Sequence, residues 1–188
     1  MKKTKMTIMR KIQLMRKIQK YEKVLPKEII ELWKKTDMQG TLLNGYLRLI
    51  DPDVYKPIVD EVYWNKKAIP VFSTVFGDVI IWCAKEDGVT DREEIDMLSF
   101  KDDTDTFLGF EMERFLEFLE NPEYVLDRFP EYQLYPEAVK RLGRVSNDEC
   151  YFFVPYLFLG GEKTVERLQK GDMEVCISIM TQLIEGYL

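Results

Sequence analysis

Histidine is missing from all 188 residues. Its absence removes Ser-His-Asp and Cys-His catalysis and every histidine metal site. Cysteine is scarce. Cys83, Cys150 and Cys176 are odd in number, far apart and set in apolar contexts, which predicts buried free thiols in a reducing compartment. No apolar run approaches the roughly 18 residues of a membrane-spanning helix. The N-terminus has charge but neither a clean apolar core nor a small-residue cleavage site, so no secretory signal is expected and the cytoplasm is the expected location. Gly160-Gly161 is followed by Glu162 and Lys163, which excludes a phosphate-binding loop of the Gly-x-x-x-x-Gly-Lys-Ser/Thr type. An enzyme working through carboxylates alone is left open.

What is present is enough for a real core, with 46% apolar and 13% aromatic residues in a chain of one-domain length. The formal charge of −6 hides a split. Residues 1–23 carry nine Lys and Arg against Glu22 alone, a net of +8, while the remainder carries 18 basic and 32 acidic residues, a net of −14. An acidic body repels phosphate backbones, so nucleic acid is not an expected ligand. It suits a basic protein partner, unless the charge serves solubility alone.

The periodicity predicts alternating helices and strands. Ile8, Ile12, Met15 and Ile18 fall at helical spacing and make residues 1–20 a basic amphipathic extension, either docked on the body or free to meet a partner or membrane surface. Residues 21–188 read as a single domain. Pro26 opens a helix through Trp33, and Asp51-Pro52 caps another that runs to about Trp64. Residues 46–50 suggest a short strand. Residues 69–76 and 78–84, joined at Gly77, give the best hairpin signal, and residues 94–100 a further strand. Phe107, Leu108, Phe110, Phe115, Leu116, Phe118 and Leu119 recur near the helical period, so residues 107–119 are expected to be a helix. Shorter helices follow at 122–129 and 135–141, with Gly143 as a cap. Cys150 to Leu159 is the longest nearly unbroken apolar run, and residues 150–154 are expected to form the buried strand around which the chain is organised. Gly160-Gly161 suits positive φ or close backbone approach. Residues 172–188 close the chain as an amphipathic helix. The expected fold class is α+β, a mainly antiparallel sheet with helices packed against it.

Candidate site residues are acidic. Glu86, Asp87 and Asp91 lie in a charged loop. Asp102, Asp103 and Asp105 make a dense turn that resembles half of a calcium loop, but Phe107 stands where the turn glycine belongs, so a solvated turn is the default. Asp148 and Glu149 are adjacent, which on a strand directs them to opposite faces and makes them a poor acid–base pair. Trp33, Trp64 and Trp82 read as core. No cofactor or metal is implied.

Several short motifs belong together: Leu25-Pro26 with Trp33 and Gly40, Asp51-Pro52 with Tyr55, Phe76-Gly77-Asp78 with Trp82, Leu142-Gly143, Asp148-Glu149, and Tyr151 through Val154-Pro155 to Leu159-Gly160-Gly161. Over residues 21–188 the chain resembles the GAD-like family. More specifically, it resembles the C-terminal domain of immunity proteins that protect bacteria from their own type VI secretion DNase toxins. Phe152 and Tyr156 replace the family's usual Gly and Ala, which marks a divergent member. The resemblance implies a non-catalytic α+β binding protein that neutralises a cognate toxin. The eight acidic residues above are then the candidate partner contacts. The rival readings are a regulatory or scaffold module acting through the basic N-terminal helix, and a carboxylate-based hydrolase.

Overall fold

The computed structural model describes residues 2–85 and 91–187, with side-chain surroundings resolved for 9, 11–85 and 91–184. Helix α1 (Lys2–Tyr21) and helix α2 (Lys27–Thr36) come first, followed by strands β1 (Thr41–Leu42) and β2 (Leu47–Leu49). Helix α3 (Pro52–Val62) starts where the Asp51 side chain accepts from the Asp53 N–H at 3.0 Å and Pro52 occupies the first turn. Strands β3 (Ile69–Thr74), β4 (Val79–Cys83), β5 (Glu94–Ser99) and β6 (Thr104–Phe110) then run in sequence. All six strands form one antiparallel meander in the order β1-β2-β3-β4-β5-β6. This is the α+β class the periodicity predicts.

Both faces of the sheet are covered. Ile80 and Trp82 of β4 join a core with Ile29 and Trp33 of α2, while their neighbours Val79, Ile81 and Cys83 join a second core with Tyr55 and Val59 of α3. The alternation follows from the two-residue period of a strand. Helices α4 (Met112–Phe118), α5 (Pro122–Arg128) and α6 (Tyr135–Leu142) contribute to the first core, and α7 (Met173–Tyr187) to the second. α5 starts on a side-chain cap from Asn121, and α6 ends at Gly143, whose φ is +74°. α7 starts where the Asp172 side chain accepts from the Val175 N–H.

Two expectations are corrected. Residues 107–110 are strand, not the start of a helix. Thr104 to Phe110 pairs with β5, and the chain bends only at Glu111, whose φ is +60°, before α4 begins at Met112. A bulge opposite Ile95 and Asp96 puts an extra residue into β6, which makes its apolar spacing look helical. The strand at 150–154 exists as β7 (Glu149–Phe153), but it is not in the main sheet. It pairs with β8 (Leu168–Asp172) as a separate two-stranded ribbon. The Tyr151 N–H donates to the Val75 carbonyl at 2.8 Å and ties the ribbon to the β3–β4 turn. The centre of the fold is the β3–β4 hairpin itself.

The glycine pair behaves as its residue type suggests. Gly160 has φ +83°, and a Cβ on Gly161 would lie 2.0 Å from the Pro155 carbonyl oxygen.

Candidate interaction surface

The eight acidic candidates do not converge. Glu86 and Asp87 lie outside the described residues. Asp91 is exposed beside Lys85, Glu93 and Glu113 in a shallow depression. Asp148 is exposed and borders a different cleft, with Asp37, Asp51 and Tyr55. Glu149 is used internally. Its carboxylate accepts from the Ser146 N–H at 2.9 Å, and that bond holds its pKa below the ordinary value. Asp102 is used internally too, accepting from Lys163 at 3.0 Å. Asp103 and Asp105 remain, exposed on the turn into β6.

The most elaborate polar cluster is buried. The β3–β4 turn carries Thr74, whose hydroxyl donates to Asp78 at 2.7 Å, and Asp78 is 1% exposed. Lys101, at the β5–β6 turn, pairs with Asp78 and donates to Ser99 at 3.1 Å. Buried Glu131 lies 3.8 Å from Lys101 and 3.0 Å from Lys163. Burial works against the Lys163 charge, but its bonds to Asp102 and Glu131 outweigh that and hold its pKa above the ordinary value. Each carboxylate here faces an ammonium, so the cluster pins loops together and offers no unpaired acid or base for catalysis. Among the described residues, no group of three or more metal-ligating side chains converges.

The thiols are free and buried, as their contexts suggest. Burial, with Asp96 adding, pushes the Cys83 thiol up to about 12. Contact with Cys176 and burial push Cys150 up as well.

Two apolar depressions face solvent at opposite ends of β6. One is a groove of about 580 Å³ between Trp64 and the Asp103–Asp105 turn, floored by Leu98 and Phe100. Trp64 is 59% exposed, against 0% for Trp33 and 2% for Trp82, so the core reading of the tryptophans is right for two and wrong for the third. Trp64 lies just beyond the last residue of α3, where the helical period no longer carries its side chain inward. Behind the groove, buried Asp96 accepts from the Tyr63 hydroxyl at 2.5 Å. Burial raises the Asp96 pKa, the Tyr63 bond opposes this, and Asp105 adds to the rise.

The other depression, about 450 Å³, is lined by Phe107, Phe110 and Phe118 with Arg92, Arg114 and Arg128. Arg92 sits over the Phe110 ring at 5.2 Å. The Tyr124 hydroxyl donates to the Leu108 carbonyl at 2.5 Å and Arg128 to the Phe107 carbonyl at 3.3 Å. Side chains from α5 thus occupy carbonyls of the edge strand that another strand would need.

The basic N-terminal helix is docked. Lys17 reaches Asp51 at 2.6 Å and also pairs with Asp53, Lys20 reaches Asp53 at 2.5 Å, and the Tyr21 hydroxyl donates to Asp53 at 2.6 Å. Burial alone would raise the Asp53 pKa, but these three partners together hold it well below the ordinary carboxylate range. Leu14 and Ile18 pack on the first core, whereas Ile12 and Met15 are exposed, so the inward face is rotated from the one that the isoleucine spacing suggests. Among the described residues, no helix is long and apolar enough to cross a membrane.

Residues 1–91 match the family model of the GAD-like domain, and residues 109–184 match that of the T6SS immunity protein Tdi1, C-terminal. The first half of the chain is thus similar to the GAD-like domain and most of the second half to the Tdi1 C-terminal domain. The GAD-like match takes in α1, which the motif resemblance did not reach. No curated protein matches. Among solved structures, the crystal structure of Atu4351 from Agrobacterium tumefaciens is similar, with a TM-score of 0.67 at 18% identity over 89% of this chain and 80% of that one. At that identity the likeness concerns the fold.

Proposed function

We propose that this chain is a non-catalytic immunity protein that binds a cognate bacterial toxin, a type VI secretion nuclease, and neutralises it by direct contact in the cytoplasm. The observation that carries this reading is the match of residues 109–184 to the Tdi1 C-terminal family. The acidic body agrees with it. Negative groups steer a basic partner to the surface and compete with the toxin's own anionic substrate. The buried charges are internally paired, which suits a scaffold more than an active site.

The alternative of a module acting through its basic N-terminal helix fits less well, because Lys17, Lys20 and Tyr21 are already engaged by Asp51 and Asp53. Deleting residues 1–20 separates the two readings. It should spare toxin binding under the first and abolish partner binding under the second.

The direct test is co-expression with the protein encoded in the adjoining reading frame. Growth should be rescued and the two proteins should co-purify. A toxic neighbour that this chain neither binds nor neutralises would refute the proposal.

A further inference from the structure

The groove beside Trp64 has a chemistry that selects its occupant. Its floor is apolar, and one wall is an indole more than half exposed to water. Its rim carries Asp103 and Asp105, neither of which is ion-paired among the described residues. Among the described residues, none that lines it is cationic. Behind it, buried Asp96 adds a third carboxyl, and the nearby charge of Asp105 adds to the rise of the Asp96 pKa. An exposed aromatic face beside uncompensated carboxylates favours a cation with an apolar stem, the description of a lysine or arginine side chain. A volume of about 580 Å³ admits one or two such side chains.

Resting on the immunity reading, we propose that the groove between Trp64 and the Asp103–Asp105 turn seats a lysine- or arginine-bearing segment of the partner protein. The cation lies over the Trp64 indole and its charge is met by the two aspartates. The depression at Phe107 and Phe110 does not suit this occupant, because Arg92, Arg114 and Arg128 line it against a single carboxylate, Glu111, which is paired with Arg114. Glu166 is exposed and does not line the groove, so it serves as an internal control.

Trp64 is the one exposed tryptophan of three, so its emission reports on the groove. The full-length protein is titrated with hexa-arginine while tryptophan fluorescence is followed. The expected result is a saturable change that weakens with salt, at least tenfold weaker binding in the Asp103→Asn/Asp105→Asn double variant, and unchanged binding in Glu166→Gln. Circular dichroism confirms that each variant is folded. The double variant and Trp64→Ala should also weaken capture of the adjoining-frame protein at least tenfold. Equal peptide binding by the double variant, or no Trp64 response at millimolar peptide, overturns the proposal. Unchanged capture by both variants overturns the groove and leaves the immunity reading standing. Failure of the wild-type chain to capture its neighbour removes that reading, while the peptide titration still decides the groove. A concentration-dependent dimer that buries Trp64 would assign the groove to a second copy, and the proposal would fall.

Discussion

Lys101 and Asp78 form an ion pair with both side chains inside the protein, one from the β5–β6 turn and one from the β3–β4 turn. Breaking a buried pair by removing one partner leaves an uncompensated charge. Lys101→Met is expected to cost about 3–5 kcal/mol. The companion variant Asp78→Leu in the same chain should recover much of that loss. Urea denaturation of the two single variants and the double variant measures the coupling.

Arg48 links the sheet to the ribbon. It is 2% exposed, and its guanidinium donates to the carbonyls of Ser146 at 2.5 Å, Glu149 at 2.7 Å and Thr74 at 3.3 Å. Arg48→Met strands those carbonyls and is expected to destabilise the protein by about 3 kcal/mol. Amide exchange should accelerate in β7 before it does in β3 and β4. Uniform acceleration across all strands would show that the ribbon is not held this way.

Asp96 opposes the fold at neutral pH. Its pKa is raised, first by burial, so its ionisation costs stability as pH rises from the unfolded value of about 3.9 through the folded one. Asp96→Asn keeps an oxygen to accept from Tyr63 and removes the charge. The variant should melt at a higher temperature than the parent at pH 7 and at nearly the same temperature at pH 3. A gain of equal size at both pH values would mean that the charge is not the cause.

Asp53 has the opposite sign. Its lowered pKa means that its contribution is present above about pH 4 and fades as acid protonates the folded carboxyl. The side chain is 36% exposed, so screening limits the effect to about 0.5–1 kcal/mol. Asp53→Ala should speed proteolysis of α1 at pH 7 while leaving the global melting temperature almost unchanged. Added salt should narrow the difference between variant and parent.

Gly161 leaves no room for a methyl group, because the Pro155 carbonyl fills the space. Gly161→Ala is expected to cost about 2 kcal/mol. Gly143→Ala meets no atom but must hold φ at +74°, so a smaller loss is expected there. Thermal melts of the two variants rank the effects.

Local signals reached most of the architecture. Asp51-Pro52, Asn121-Pro122 and Gly77 mark boundaries because each acts on its own backbone, and those boundaries are observed. Pairing was less accessible. Leu168 is the one buried residue of β8, so its sequence gives no strand pattern, and without β8 the apolar run of β7 looked like a central strand. Phe107, Leu108 and Phe110 fit a helix only because a bulge disturbs the alternation of β6. Acidity alone located Asp103 and Asp105. That Asp102 and Glu149 turn inward depends on Lys163 and Ser146, which are distant or unremarkable in sequence. Trp64 was hidden by its own chemistry, since an indole beside an apolar helix is usually core.

The main sheet ignores the boundary between the two family matches. Residues 1–91 supply β1 to β4, β5 and most of β6 come from the stretch between the matches, and the second match begins at Gly109. Recombination that exchanged the C-terminal portion between relatives would have to join two partners across one hydrogen-bonded ladder. Any such exchange therefore has to preserve the β5–β6 register, bulge included, for the sheet to stay paired.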